Sequence, residues 1–325
     1  MKKFQTLAVA LATAVGFCAG ASAQTWPSKP ITLVLPFPAG GAADVVARAM
    51  ADEMGKSLGQ PVIIDNRSGA AGIVGTSYVV KAPADGYTVL FTSTLPVMTN
   101  QFLFSRVPYD VRRDLAFISQ VATGNLVLAV NPSVPVRSVK ELVAWAETNK
   151  GKVNYGSWSV GSYAHLAGAY LSKSKNLEMN HIAYKGEAPM LQDLIGGQIP
   201  MAIGTWGSMR PYIESGKLHP LAVTGDKRFA ELPEVPTFAQ AGLADAEYRP
   251  IGWLVMMAPA ATPAPILARL EKEARAAANT SSVRARLQMA GLDGIGGSSV
   301  QFRREYEAAM PVLERVVKTA GAKLD

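Results

Sequence analysis

The chain has 325 residues, 49% of them apolar, and a formal charge of +7, which suits two medium domains or one large one built on a buried core. Its basic residues are scattered, with short pairs at Arg112-Arg113 and Arg303-Arg304 and no stripe interleaved with aromatics, a pattern that argues against nucleic-acid binding. Cys18 is the only cysteine and lies in an N-terminal leader, so disulfides and cysteine-based zinc or redox chemistry are excluded from the remainder.

In that leader Lys2 and Lys3 precede the apolar run Leu7 to Phe17, and Ala21-Ser22-Ala23 is a small-residue cleavage site. Residues 1 to 23 therefore read as a signal peptide. The run is too short and too rich in Ala and Gly for a span of about 20 apolar residues. Val15-Gly16-Phe17 before Cys18 does not suit a lipid-attachment site. No second long apolar run follows. The expected product is soluble, mildly basic and exported, which in a two-membrane bacterium means the periplasm.

Beyond the leader, short β-rich runs alternate with helical periodicity, the signature of an α/β fold. Ile31 to Leu35, Val62 to Asp65 and Tyr87 to Thr92 read as strands, with helices over Ala42 to Leu58 and Ile73 to Ala82 between them. A second series runs from strand Leu126 to Val130 through helix Ser138 to Asn149 to strand Val153 to Tyr155. It continues as helix Ser162 to Ser174, strand Met179 to Ala183, helix Ala188 to Ile195, strand Ile199 to Ile203, helix Ser208 to Glu214 and strand Pro220 to Thr224. After an irregular stretch come a strand, Gly252 to Ala258, and three helical segments ending at Gly321. A helical tail of this kind packs back on a sheet already made. The expectation is a discontinuous first domain, 24–124 with 249–325, and an inserted second domain, 125–248.

Two strand-to-helix turns stand out. In LVLPFPAGGAADVVAR, from Leu33 to Arg48, Gly40 and Gly41 leave the backbone uncovered just where the first N–H groups of a helix lack partners. Asp44 falls in that helix's first turn, where a carboxylate is favoured as a cap. The second turn, YGSWSVGSYAHL from Tyr155 to Leu166, adds the hydroxyls of Ser157, Ser159 and Ser162 and open backbone at Gly161. Trp158 and Trp206 each sit at a strand end beside glycine or serine and would make a flat apolar box if both flank one cleft. Two such turns in matching positions point to a ligand held outside the carboxyl ends of the strands.

Chemistry by the chain itself finds little support. Ser159 is three residues after Gly156, not the two of a nucleophile elbow, and no acid and histidine complete a triad. His165, His181 and His219 have no metal-ligand spacing, GAAGIVG at 69 to 75 lacks the dinucleotide order, and no phosphate-loop motif occurs. Neither a metal nor a cofactor is expected.

The chain resembles the Bug family of periplasmic solute-binding proteins, receptors of tripartite tricarboxylate transporters. The marks are PFPAGGAADVVAR at 36 to 48, IIDNRSGAAGIVGTSYVVKAPADGYTVLF at 63 to 91 and YGSWSVGSYAHL at 155 to 166. They continue with HIAYKGEAPMLQDLIGGQIPMAI at 181 to 203, GKLHPLAVTGDKRFAELPEVPTFAQAG at 216 to 242 and GWLVMMAPAATP at 252 to 263. The resemblance implies a periplasmic binding protein (Venus-flytrap) fold: two α/β domains joined by a hinge, with a small organic acid clamped between facing turns. Carried over, the first turn offers Phe37, Ala39, Gly40, Gly41 and Asp44, with Ser93 beside it at a strand end. The second offers Ser157, Trp158, Ser159, Gly161, Ser162 and His165, with Thr205 and Trp206 beyond Ile203.

At that last turn many relatives carry an acidic residue where this chain has Gly204-Thr205-Trp206-Gly207. The loss of a charge and the gain of an aromatic plane favour an aromatic or otherwise flat mono- or dicarboxylate over an amino acid. The implied partners are the carboxylate and the membrane permease subunits of a tripartite transporter, and the implied state is a monomer. A carboxylate sensor of the same fold that docks to a signalling protein is the alternative.

Overall fold

The computed structural model describes residues 26–249 and 252–324; the segment read as a signal peptide lies outside them. The chain forms two sheets. Strands β1 (Ile31–Leu35), β2 (Val62–Asn66), β3 (Thr88–Ser93) and β4 (Leu115–Gly124) build the first sheet, and β5 (Leu126–Val130), β6 (Asn154–Ser157), β7 (Asn180–Ala183), β8 (Met201–Thr205) and β9 (His219–Val223) the second. β10 (Gly252–Pro259) and the two-residue β11 (Asp293–Gly294) return to the first. The orders are β11-β4-β10-β3-β1-β2 and β7-β6-β8-β5-β9.

Both sheets are covered on both faces, which is why their strands read as unbroken apolar runs. Side chains alternate across a strand. Ile31, Leu33 and Leu35 enter one core with α1 (Ala42–Leu58), while Val34 enters another with α2 (Ile73–Val80). In the second sheet Leu126, Leu128 and Val130 meet α3 (Val139–Thr148) and α4 (Tyr163–Ser174). Val127 and Ala129 point the other way, to α5 (Glu187–Ile195) and α6 (Trp206–Glu214). Then α7 (Ala264–Ala278) and α8 (Ser281–Met289) join α1 on the first sheet, and α9 (Ser299–Ala320) covers its opposite face.

The end of α9 reaches further than a cover for the first sheet. Val316 and Val317 cluster with Leu166 of α4, and Arg315 Nε lies 2.6 Å from Glu247 Oε1. The last helix therefore straps the two sheets together.

Strand direction sets the geometry of the site. β1 runs parallel to β2 and β3, and β10 is antiparallel to both β3 and β4. The carboxyl ends of β1, β2, β3 and β4 thus share one edge. In the second sheet β6 is parallel to β7 and β8, and Leu126 at the start of β5 pairs with Thr205 at the end of β8. Only Asn125 separates β4 from β5, so the carboxyl edges of both sheets adjoin the same crossover. Asn125 Nδ2 and Leu126 N–H donate to Thr224 O and Oγ1, each at 2.9 Å, pinning that crossover to the outgoing chain.

Candidate functional site

At the first edge β1 ends, Pro38 to Ala42 lie exposed, and α1 begins. Gly40 sits at φ +89°, a left-handed conformation that favours glycine. Gly41 is the N-cap and supplies no side chain, and Val45 N–H is the first to close on Gly41 O. Among the described residues the N–H groups of Ala42, Ala43 and Asp44 have no partner, as expected of a helix start left uncapped.

The Asp44 carboxylate shapes this turn as a cap, with its acceptor positions taken by the protein, while its main-chain N–H has no partner among the described residues. Its Oδ2 accepts from Gly40 N–H at 3.0 Å and Arg48 Nε at 2.9 Å, and its Oδ1 from Arg48 Nη2 and Asn66 Nδ2 at 3.0 Å each. Burial alone would raise its pKa, but the bonds from Arg48, Gly40 and Asn66 outweigh it and the net shift is down. Asn66 also donates to Phe37 O at 3.1 Å. The β1 turn is therefore held by a residue at the end of β2. Ala39 is exposed in the turn, Phe37 is half-buried at its root, and Ser93 is half-buried at the end of β3.

At the second edge two of the three hydroxyls expected to meet a ligand are spent on the turn itself. Ser157 Oγ and Ser162 Oγ both donate to Ser159 O, at 2.9 and 2.7 Å. Ser162 also caps α4, accepting from His165 N–H at 3.3 Å, while His165 Nδ1 takes the Gly161 N–H at 3.1 Å. His165 stacks on His181 with ring centres 3.8 Å apart, and His181 Nε2 lies 2.7 Å from Ser157 Oγ. Burial, then His181, pushes the His165 pKa down to about 4, and burial lowers that of His181. Trp158, Ser159 and Val160 are half-buried at the tip. The N–H groups of Tyr163 and Ala164 have no partner among the described residues.

Gly161 adopts φ +75°, and a Cβ there would come within 2.4 Å of Leu103 Cδ1. Leu103 belongs to the first sheet's side, so the second turn touches the opposite half at its glycine.

Trp206 does not form an aromatic wall. It is 2% exposed, packs edge-on against Phe229 at 5.8 Å and donates Nε1–H to Glu231 Oε2 at 2.8 Å. Its large apolar ring is worth more in the second core than at a wet turn. The start of α6 is closed as well, since Cβ atoms built on Gly207 and Gly291 would meet each other's neighbouring backbone at 2.7 and 2.4 Å.

A second correction concerns the acid missing after Ile203. Glu187, the first residue of α5, brings a carboxylate to that place from another strand. Its Oε1 accepts from Thr205 N–H at 2.5 Å, and its Oε2 from Thr205 Oγ1 and Ser208 Oγ at 2.8 and 2.9 Å. Burial raises its pKa against the opposing pull of those bonds. Thr205 is thus committed to Glu187. Nothing in the local pattern around 187 signals this contact, and His181 and Asn66 were equally silent. Arg48, four residues after Asp44, was the one missed partner that helical spacing could have exposed.

Among the described residues no group of three or more His, Cys, Asp and Glu side chains could hold a metal, and no helix is long and apolar enough to cross a membrane.

A profile described as the tripartite tricarboxylate transporter family receptor matches residues 46–321. The chain is 34% identical over 319 residues to Protein BugT of Bordetella pertussis (strain Tohama I), covering 98% of this chain and 97% of BugT. It is similar to the solved structure of R. palustris Rpa4515 with adipate, with TM-score 0.80, 36% identity, and 92% and 100% of the two chains covered. It is also similar to MatC (Rpa3494) from Rhodopseudomonas palustris with bound malate, with TM-score 0.76, 26% identity, and 90% and 100% covered. The α/β fold and the family read from the motifs agree with these likenesses.

Proposed function

Because the chain belongs to the tripartite tricarboxylate transporter receptor family, we propose that it is a periplasmic receptor that captures a small organic carboxylate and delivers it to the membrane permease subunits of such a transporter. The two sheets act as lobes, 24–124 with 249–325 and 125–248, hinged at the crossovers. Capture is reversible and involves no chemistry. The observation that carries this reading is the pair of helix starts with unpartnered N–H groups, at Ala42 to Asp44 and at Tyr163-Ala164, on the carboxyl edges that flank one crossover. The first has three free N–H donors and the second two, each with the positive end of a helix dipole, the arrangement that binds anions.

Adipate and malate, bound by Rpa4515 and MatC, support the carboxylate class. Ser159 and Trp158 at the tip, and Ala39 to Gly41 opposite, are the residues we assign to ligand contact. Contacts from both lobes give the ligand its differential affinity for the closed state, without which no population would shift.

The test is a thermal-shift screen of aliphatic and aromatic carboxylates against their neutral amides. A ligand at 100 times its Kd stabilises the folded state by about 2.7 kcal/mol. For a chain of this size that is a rise in melting temperature of about 4 °C. A rise with the amides and none with the acids would overturn the proposal.

A further inference from the structure

Glu187 stands at the carboxyl edge of the second sheet with an acceptor position to spare. In the order β7-β6-β8 it follows β7, yet it bonds to Thr205 at the end of β8. Its carboxylate therefore reaches across the end of β6, over the root of the turn that carries Trp158 and Ser159. Gly204 makes the room, since a Cβ there would lie 2.8 Å from Glu187 Oε1.

Three donors meet this carboxylate, one at Oε1 and two at Oε2. A carboxylate offers about four acceptor positions, so one on Oε1 is open. Among the described residues no Lys or Arg forms an ion pair with it, and it is half-buried. A negative charge partly withdrawn from water without a cation favours any donor brought to it and opposes a second negative charge.

We propose that Glu187 selects the ligand's far end: the receptor takes carboxylates that also carry a hydroxyl or ammonium group, which donates to Glu187 Oε1 while the carboxylate occupies the open helix starts. This rests on the receptor reading above and deepens it.

The experiment measures Kd by calorimetry for matched acids of four to six carbons whose far end is a methyl, a hydroxyl, an ammonium or a second carboxylate. In the wild-type protein the hydroxyl or ammonium member of a set binds about tenfold tighter than the methyl member. In Glu187→Gln that preference falls to less than about threefold and the dicarboxylate gains affinity. Equal binding of methyl and donor-bearing members by the wild type overturns the inference, and this arm holds even if the variant does not fold. A uniform loss across all members in Glu187→Gln also overturns it, leaving a purely structural tie to Thr205. If no acid of any set binds, the receptor reading itself has failed; if acids bind without a donor preference, only the role of Glu187 has.

Discussion

Lowering the pH from 7 to 4.5 should loosen the second turn before it disturbs the first. His165 is buried and stacked on the half-buried His181, and His165 Nδ1 must stay unprotonated to accept the Gly161 N–H. The His165 pKa is lowered from 6.5 to about 4, so as pH falls the unfolded chain takes up a proton first. A depressed histidine contributes stability that is fully present above 6.5 and is lost on the way down to about 4. At 1.36 kcal/mol per unit, the loss by pH 4.5 is about 2.4 kcal/mol from His165, with His181 acting in the same direction. Asp44, whose pKa is lowered from 3.8, keeps its charge through this window. Urea denaturation at half-unit steps of pH measures the effect. His165→Asn, whose side-chain oxygen can still accept from Gly161, should lose less than half as much. Wild-type stability that stays flat over the window, or an equal slope in the variant, would refute the reasoning.

Gly161→Ala places a side chain at φ +75° and against Leu103; we expect about 1 to 3 kcal/mol of lost stability, read from the urea midpoint, with part of it restored by adding Leu103→Ala. Asp44→Ala removes the acceptor of four bonds that hold Gly40, Arg48 and Asn66. It should cost about 2 to 4 kcal/mol and weaken carboxylate binding, with Asp44→Asn intermediate. An unchanged midpoint in Asp44→Ala would mean that the turn is held by its own backbone.

What could be read beforehand follows the range of the interactions involved. The turn after β1 was legible because its parts are contiguous: an apolar strand, two glycines, then a helical period starting at Ala42. The second turn was legible for the same reason. Side-chain roles were not. Ser157 looks like a free hydroxyl until His181, 24 positions on, is seen against it, and Trp206 looks like a cleft wall until Phe229 and Glu231 fold over it. β4 escaped the reading altogether. It is buried along nearly all its length while carrying Ser119, Gln120 and Thr123, so it shows neither alternation nor an apolar run.

The open helix starts owe their availability to what the protein has already neutralised. Asp44 takes Gly40 at α1, Ser162 and His165 take each other's amide neighbourhood at α4, and at α6 Glu187 and the backbone of Ala290-Gly291 leave no room. What remains is the N–H groups of Ala42, Ala43 and Asp44 on one side and of Tyr163 and Ala164 on the other, which in the receptor we propose would share one carboxylate. Helix dipoles supply only about 0.3 to 1 kcal/mol each to an exposed anion, whereas a Kd of 1 μM requires about 8 kcal/mol. Charge-assisted hydrogen bonds of about 1.5 to 3 kcal/mol apiece can close most of that gap, but only if donors from both sides engage at once. A carboxylate touching one turn alone would be weakly held. In the receptor we propose, tight capture therefore coincides with approach of the two edges, and α9, packed across both sheets, would limit how far they part between captures.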